Sequence, residues 1–130
     1  DRMNSFDSFL NPERKPNIRF KLSPYPDEFE MRLLSAEEDR EILRRMQGDK
    51  KLDGADALIA YAAEALVVPD LHNADFQDKL SKKAGRPVLS PADALVAMTT
   101  SAELSAILGA YTEFSGVDVT FTEGVEEIKN

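Results

Sequence analysis

The single histidine of this 130-residue chain, His72, is the first position whose residue type and surroundings suggest chemistry. Three aspartates stand close to it in the sequence, Asp70, Asp75 and Asp78. An imidazole with carboxylates can hold a divalent metal ion, but this spacing matches no recognised ligand framework. Aspartates are also favoured beside a helix start by the helix dipole. The local sequence therefore predicts an exposed turn before a helix, with no metal site and no cofactor.

Two runs of adjacent carboxylates, at residues 37–39 and 126–127, are the next candidates for acid–base chemistry. Catalytic carboxylates need burial that perturbs their pKa values, and nothing around these runs predicts burial. Helix capping and a solvated helix face explain both. The sequence has no Gly-x-Ser-x-Gly motif, no glycine-rich loop before a helix and no cysteine. We therefore predict that the protein is not an enzyme and assign no catalytic residue.

The composition indicates one acidic domain. Its 24 acidic and 16 basic residues give a formal net charge of −8, which disfavours binding to the phosphate backbone of nucleic acids. The basic residues are scattered among the acidic ones, so a surface that mimics DNA is not expected either. The absence of cysteine excludes disulfides and fits a reducing cytoplasm.

No segment of the sequence predicts a membrane partner. The longest nearly apolar run, residues 57–68, contains Glu64 and is shorter than the ~20 residues that a bilayer-spanning helix needs. The chain opens without a basic and apolar leader, and we interpret residues 1–2, which precede Met3, as a vector remnant. These features predict a cytoplasmic protein.

Two segments with alternating apolar and polar residues, 17–22 and 29–33, predict a β-hairpin. The residues between them are rich in turn formers. The register expected from this turn contains one pair of opposite charges and one pair of like charges. Its cross-strand pairs are Leu22 with Phe29, Lys21 with Glu30, Phe20 with Met31 and Arg19 with Arg32.

Five helices are predicted from capping residues and apolar periodicity. A serine, threonine or asparagine side chain can accept a hydrogen bond from the first turn of a helix, and a glutamate three residues later completes a capping box. Proline ends the helix before it. The alanine-rich second helix is expected to be central, because neighbours can approach it closely from several sides. The predicted helices run from Ser35 to about residue 46, over residues 55–67 before Pro69, over residues 74–81 after Asn73, from Ser90-Pro91, and from Thr100 to Gly116.

The predicted fold class is therefore α+β and predominantly helical, with an N-terminal β-hairpin followed by a compact bundle of about five helices. We divide the chain into an N-terminal arm (1–16), a single globular domain (17–116) and a C-terminal tail (117–130).

Both ends carry apolar residues of their own. In the arm, Phe6, Phe9 and Leu10 are expected to dock on the domain. In the tail, the alternation over residues 117–121 suggests a further strand, and residues 124–130 are expected to form an acidic, frayed end.

Apolar residues near two of the helices are candidates for a groove that receives a partner helix. The alternative is that each belongs to the core, and for any one of them taken alone the core is the simpler interpretation. The candidate partner-binding residues are Leu71, Phe76, Leu80, Leu104, Leu108 and Tyr111.

Three strings in fixed order carry a family resemblance: "LSAEEDREI" from residue 34, "VVPDLHNADFQD" from residue 67 and "AELSAILGAYTEFSG" from residue 102. With the arm, the strand pair and the acidic tail, they make the chain resemble the XkdN-like tail assembly chaperones of long-tailed bacteriophages and prophages. The resemblance runs from Phe6 to Lys129. Residues 81–100 and the alternation over residues 117–121 depart from the family pattern.

The resemblance implies a non-catalytic protein of the bacterial host cytoplasm that binds the tape measure protein, keeps it soluble during tail assembly and is absent from the mature virion. It also implies, as in many relatives, a longer frameshifted form that recruits the tail tube protein, and it supplies no catalytic residues. A homo-oligomer is a further possible assembly. The alternative function is a generic cytoplasmic adaptor or oligomerising interaction module. Gene context distinguishes the two, since a chaperone gene is expected between a tail tube gene and a very long helical reading frame.

Overall fold

The computed structural model describes residues 2–47 and 54–122, which form six helices and three short strands. The predicted class, α+β and predominantly helical with an early hairpin, is confirmed. The predicted acidic end at residues 124–130 lies outside the described residues. The elements in chain order are α1 (Arg2–Leu10), β1 (Ile18–Phe20), β2 (Phe29–Met31), α2 (Ala36–Gln47), α3 (Gly54–Ala65), β3 (Leu66–Val68), α4 (Ala74–Ala84), α5 (Pro91–Met98) and α6 (Ser101–Ser115).

The hairpin forms with a register two residues away from the predicted one. A shift of two keeps every side chain on its predicted face of the sheet. It also removes the like-charge contact, because Arg19 now lies opposite Glu30, with Nε 3.4 Å from Oε1. The longer loop that results is closed by a hydrogen bond of 2.8 Å from the Tyr25 amide to the Leu22 carbonyl. The observed pairs are Ile18 with Met31, Arg19 with Glu30 and Phe20 with Phe29.

The predicted helix over residues 55–67 is wrong at its C-terminal end, because α3 stops at Ala65 and the next three residues form β3. Strand β3 pairs antiparallel with β2, and the Arg32 amide donates to the Ala65 carbonyl at 2.9 Å where the helix ends. This pairing supplies partners for backbone groups on the second edge of β2. Adjacent valines also favour a strand. Tertiary pairing therefore overrides the apolar helical pattern in the sheet order β1-β2-β3.

Helix α3 is central, as predicted, and contacts α2, α5, α6 and β3. Ala62, Ala63 and Ala65 are buried, and side chains this small allow the neighbouring elements to approach closely. None of the helices within residues 2–47 and 54–122 is long and apolar enough to cross a bilayer. The core cluster around α3 consists of Phe29, Met31, Ala62, Ala63, Leu66, Leu71, Leu80, Val88, Ala94, Leu95, Ile107 and Phe114.

The predicted helix starts at four capping residues are confirmed. Ser35 and Glu38 exchange hydrogen bonds across the first turn of α2, with the Glu38 amide 3.0 Å from Ser35 Oγ and the Ser35 amide 2.8 Å from Glu38 Oε1. Thr100 and Glu103 form the same capping box on α6. These bonds link residues three positions apart, so they fix the helix starts locally. The other two caps are Asn73 on α4 and Ser90 on α5.

The N-terminal arm departs from its prediction. It contains the nine-residue helix α1 where no regular structure was expected. The three apolar side chains that were expected to dock do not do so, and project into solvent. Their exposed fractions are 74% for Phe6, 82% for Phe9 and 73% for Leu10.

The arm is held by Lys15 instead. The Lys15 ammonium group donates to the carbonyl oxygens of Phe114 at 2.6 Å and Gly116 at 2.7 Å. A cation at this position complements the negative end of the α6 dipole. The chain after α6 forms no strand over residues 116–122, which corrects the strand suggested by its alternation, and Val117 is 82% exposed.

Replacing Thr100 by alanine removes the side chain that caps α6. We expect the free energy of unfolding to fall by about 1 kcal/mol, the usual cost of losing such a cap, measured by urea unfolding at equilibrium. Thr112→Ala, on the exposed surface of the same helix, is the control, and its effect should stay within about 0.5 kcal/mol. Equal losses in both variants would contradict the capping role.

Candidate partner-binding groove

An apolar groove of about 330 Å³ lies between the hairpin loop, the end of β3, helix α4 and the end of α5. Each of these segments comes from a different part of the sequence, so the groove exists only in the folded chain. Charged side chains are few along its wall. Half of its twelve lining residues are the apolar side chains of Phe29, Val68, Phe76, Leu80, Ala97 and Met98.

Tyr25 holds the hairpin loop against the junction of α5 and α6. Its hydroxyl lies 2.8 Å from the Met98 carbonyl oxygen and 2.7 Å from Glu103 Oε1, so these two acceptors share its single proton. Burial, helped by the hydrogen bond to Glu103, raises the pKa of Tyr25 to about 12. The Thr100 amide and, after it, the Tyr25 hydroxyl lower the pKa of Glu103. The phenol therefore stays protonated, and the carboxylate ionised, at neutral pH.

Three aromatic rings connect this loop to the sheet. The Tyr25 ring meets Phe29 edge to face, with centroids 5.2 Å apart. Phe29 in turn stacks on Phe20 at 5.3 Å. Such pairs contribute about 0.5–1.5 kcal/mol beyond the burial of their area. The rings thus fix one wall of the groove relative to β1 and β2.

Helix α4 supplies the opposite wall. Phe76, Leu80 and Lys83 follow one another at intervals of four and three residues, which places them on one helical face. The helix starts at Asn73, whose side chain accepts a hydrogen bond of 2.9 Å from the Phe76 amide. It ends at Gly85, which adopts a left-handed conformation with φ 71°. The helix extends three residues beyond its prediction, and this extension contains Lys83.

The groove brings together two of the six predicted partner-binding residues, Phe76 and Leu80. Leu71 has no exposed surface and lies in the core. The remaining three are half-buried on α6, where they pack against the core and do not line the groove. The two predicted sets therefore do not form a common surface. The three residues on α6 are Leu104, Leu108 and Tyr111.

Sequence reasoning missed ten of the twelve residues that line the groove, and three of them show why. Tyr25 lies between two prolines in a segment predicted only as a turn. Val68 was missed because the predicted helix before it ran too far towards the C-terminus. Met98 was missed because it was interpreted only as an apolar residue of the helix that starts at Ser90-Pro91. The two prolines around an aromatic residue are the one local signal of a fixed loop conformation here.

His72 lies at one end of a network of polar side chains. Its Nε2 lies 2.9 Å from Glu64 Oε2 on α3, and the same oxygen lies 4.0 Å from Arg32. Asp70, one of the aspartates near His72, accepts a hydrogen bond from the His72 amide at 3.0 Å and so shapes the turn. Across residues 2–47 and 54–122, no group of three histidine, aspartate or glutamate side chains is arranged to hold a metal ion.

Glu38 ends this network on α2. Arg32 forms two parallel hydrogen bonds with the Glu38 carboxylate, at 2.9 and 2.8 Å. The Arg32 guanidinium is the main cause that lowers the pKa of Glu38 to about 2, and the Ser35 amide adds to the effect. One of the carboxylates considered for acid–base chemistry is therefore fixed in its ionised form by a capping box and an arginine.

A family model described as "Phage XkdN-like tail assembly chaperone protein, TAC" matches residues 6–129. No curated protein matches the chain, and neither does any solved structure.

Tyr25→Phe removes the hydroxyl that ties the hairpin loop to α5 and α6. We expect a loss of about 1 kcal/mol in the free energy of unfolding, because the Met98 carbonyl loses its donor. Tyr25→Leu also removes the aromatic contact with Phe29 and should cost more. Urea unfolding of both variants and the wild type measures which variant loses more free energy of unfolding. Wild-type stability in Tyr25→Phe would show that the hydroxyl does not hold the loop.

Glu38→Gln should make the free energy of unfolding depend less steeply on pH in the acid range. Folding lowers the pKa of Glu38 from 4.5 to about 2, so the ionised carboxylate stabilises the folded state. Its contribution is complete above about pH 4.5 and is lost as the pH falls towards 2. Urea unfolding at stepped pH values should therefore show a steeper fall for the wild type than for Glu38→Gln over this window. Glu37→Gln removes the same charge one residue away, and an equal flattening in this control would contradict the assignment.

Proposed function

The chain belongs to the XkdN-like family of phage tail assembly chaperones, and from this membership we propose that it binds the tape measure protein and keeps it soluble while the tail assembles. The role is non-catalytic, takes place in the cytoplasm of the bacterial host and leaves no copy in the mature virion. The observation that carries the proposal is the apolar groove beside α4.

The shape of the groove suits a helical client. A long helix that awaits its tube exposes an apolar stripe, and such a stripe drives aggregation when it stays uncovered. A groove with apolar walls receives side chains that recur every three or four residues along one helical face. The residues of α4 that line the groove run from Phe76 to Lys83, about 10 Å along the helix axis, so this wall spans about two turns of a client helix.

The charges at the rim add a preference. Asp27 and Glu28 stand on the hairpin loop side, and Lys83 stands on the α4 side. Opposite charges across an interface favour association and orient the partner. The client segment that binds best should therefore carry basic residues beside its apolar stripe. The chain's formal net charge of −8 contributes negative charge to the complex. Repulsion between like-charged complexes then keeps them apart in solution.

Co-expression with the long helical reading frame expected beside its gene tests the function. We expect the client to stay soluble and to co-elute with this chain, and to become insoluble when the chain is omitted. The soluble fraction and the eluted complex are measured on denaturing gels. Equal insolubility with and without the chain would overturn the proposal and leave the generic adaptor as the better account.

Two neighbouring residues of β3 offer a matched test of the groove. Val68 lines the groove and is 41% exposed, whereas Val67 does not line it and is 37% exposed. Val68→Asp places a charge where the client's apolar stripe would pack, so client retention should fall about tenfold or more. Val67→Asp, the control, should retain the client. After urea unfolding has shown both variants to be folded, equal retention would place the client elsewhere on the surface.

A further inference from the structure

The two sides of the groove carry opposite charges. Asp27 and Glu28 line it on the side of the hairpin loop, and Lys83 lines it on the side of α4. Lys79 lies one turn before Lys83 on the same helix, so the two lysines are neighbours on its surface. We call the first pair the acidic rim and the second pair the basic rim.

The charges of both rims are available to a bound partner. All four side chains are exposed, and none of them forms an ion pair or a hydrogen bond with another group in residues 2–47 and 54–122. Lys82, which does not line the groove, differs because it pairs with Asp78 at 3.3 Å. The folded chain therefore leaves the rim charges unneutralised, although charges nearby are paired.

Opposite charges on the two rims call for opposite charges on the two flanks of the occupant. A client helix that packs its apolar stripe into the groove places one flank against each rim. Opposite charges across an interface favour association, and like charges oppose it. The flank beside Asp27 and Glu28 should therefore be basic, and the flank beside Lys79 and Lys83 should be acidic.

The same charges distinguish the two directions in which a client helix can lie. Turning a docked helix end to end keeps its apolar stripe in the groove but exchanges its two flanks. Every favourable contact with the rims then becomes unfavourable. We propose that the two rims select a client helix with one basic and one acidic flank and fix the direction in which this helix lies along α4. This selection rests on the proposed function, since it requires a helical client.

The expected preference is moderate but measurable. A single pair of exposed charges changes a binding constant by roughly 1.4-fold to fivefold. Reversal of the helix changes the contacts at both rims together, so we expect a preference of about tenfold for one direction. A client whose flanks keep their signs along its length then aligns every bound copy in the same direction.

Two peptides of equal composition test the direction. Each is a helix of about four turns with leucines along one stripe and a lactam bridge on its outer face. The first carries lysines on one flank and glutamates on the other, and the second has the two flanks exchanged. A nitroxide label at the N-terminus of each peptide broadens the amide NMR signals of the end of α4 that lies nearer. The two ends of the wall, Phe76 and Lys83, are about 10 Å apart along the axis.

We expect one peptide to broaden Phe76 more than Lys83 and the other peptide to broaden Lys83 more than Phe76. The same order with both peptides, or equal broadening of both ends, would overturn the proposal. Absence of peptide binding would overturn it as well. A failure of direction in peptides that do bind would leave the proposed function intact, because co-expression with the client measures that function separately.

Matched variants show whether the rims cause the preference. Lys83→Glu should reduce the ratio between the two directions several-fold, whereas Lys82→Glu, the same change on the neighbouring residue, should leave the ratio unchanged. High salt screens exposed charges and should also remove the preference, while apolar packing keeps the peptides bound. Val68→Asp should weaken the binding of both peptides, and Val67→Asp should not. Equal effects within either pair of variants would overturn the proposal.

Discussion

The close approach that α3 allows its neighbours is the constraint on which the rest of the fold depends. Ala62, Ala63 and Ala65 are buried where the other elements surround this helix. Larger side chains there would displace those elements, at a cost of typically 1–3 kcal/mol. Strand β3 follows α3 without an intervening residue, so the position of the helix sets the position of the strand. The strand completes the sheet, and its end forms part of the groove.

The parts of the fold that the sequence predicts are those decided by near neighbours in the chain. Capping boxes at Ser35 and Thr100 connect residues three positions apart, and a local pattern is enough to find them. Alternation with a period of two gave the correct face for each hairpin residue even though the register was wrong by two. Strand β3 depends on its pairing with β2, across more than thirty residues, and an apolar run before a proline carries no trace of that pairing.

The groove was predictable only in part for the same reason. Phe76 and Leu80 form an apolar helical face, and this pattern is visible in the sequence. Leu71 belongs to the same cluster in sequence, yet it is buried, because exposure depends on what packs above a residue and not on its type. Tyr25 reaches acceptors 73 and 78 positions away. No spacing rule connects it to them, so the residue that fixes one wall of the groove emerges only from the three-dimensional structure.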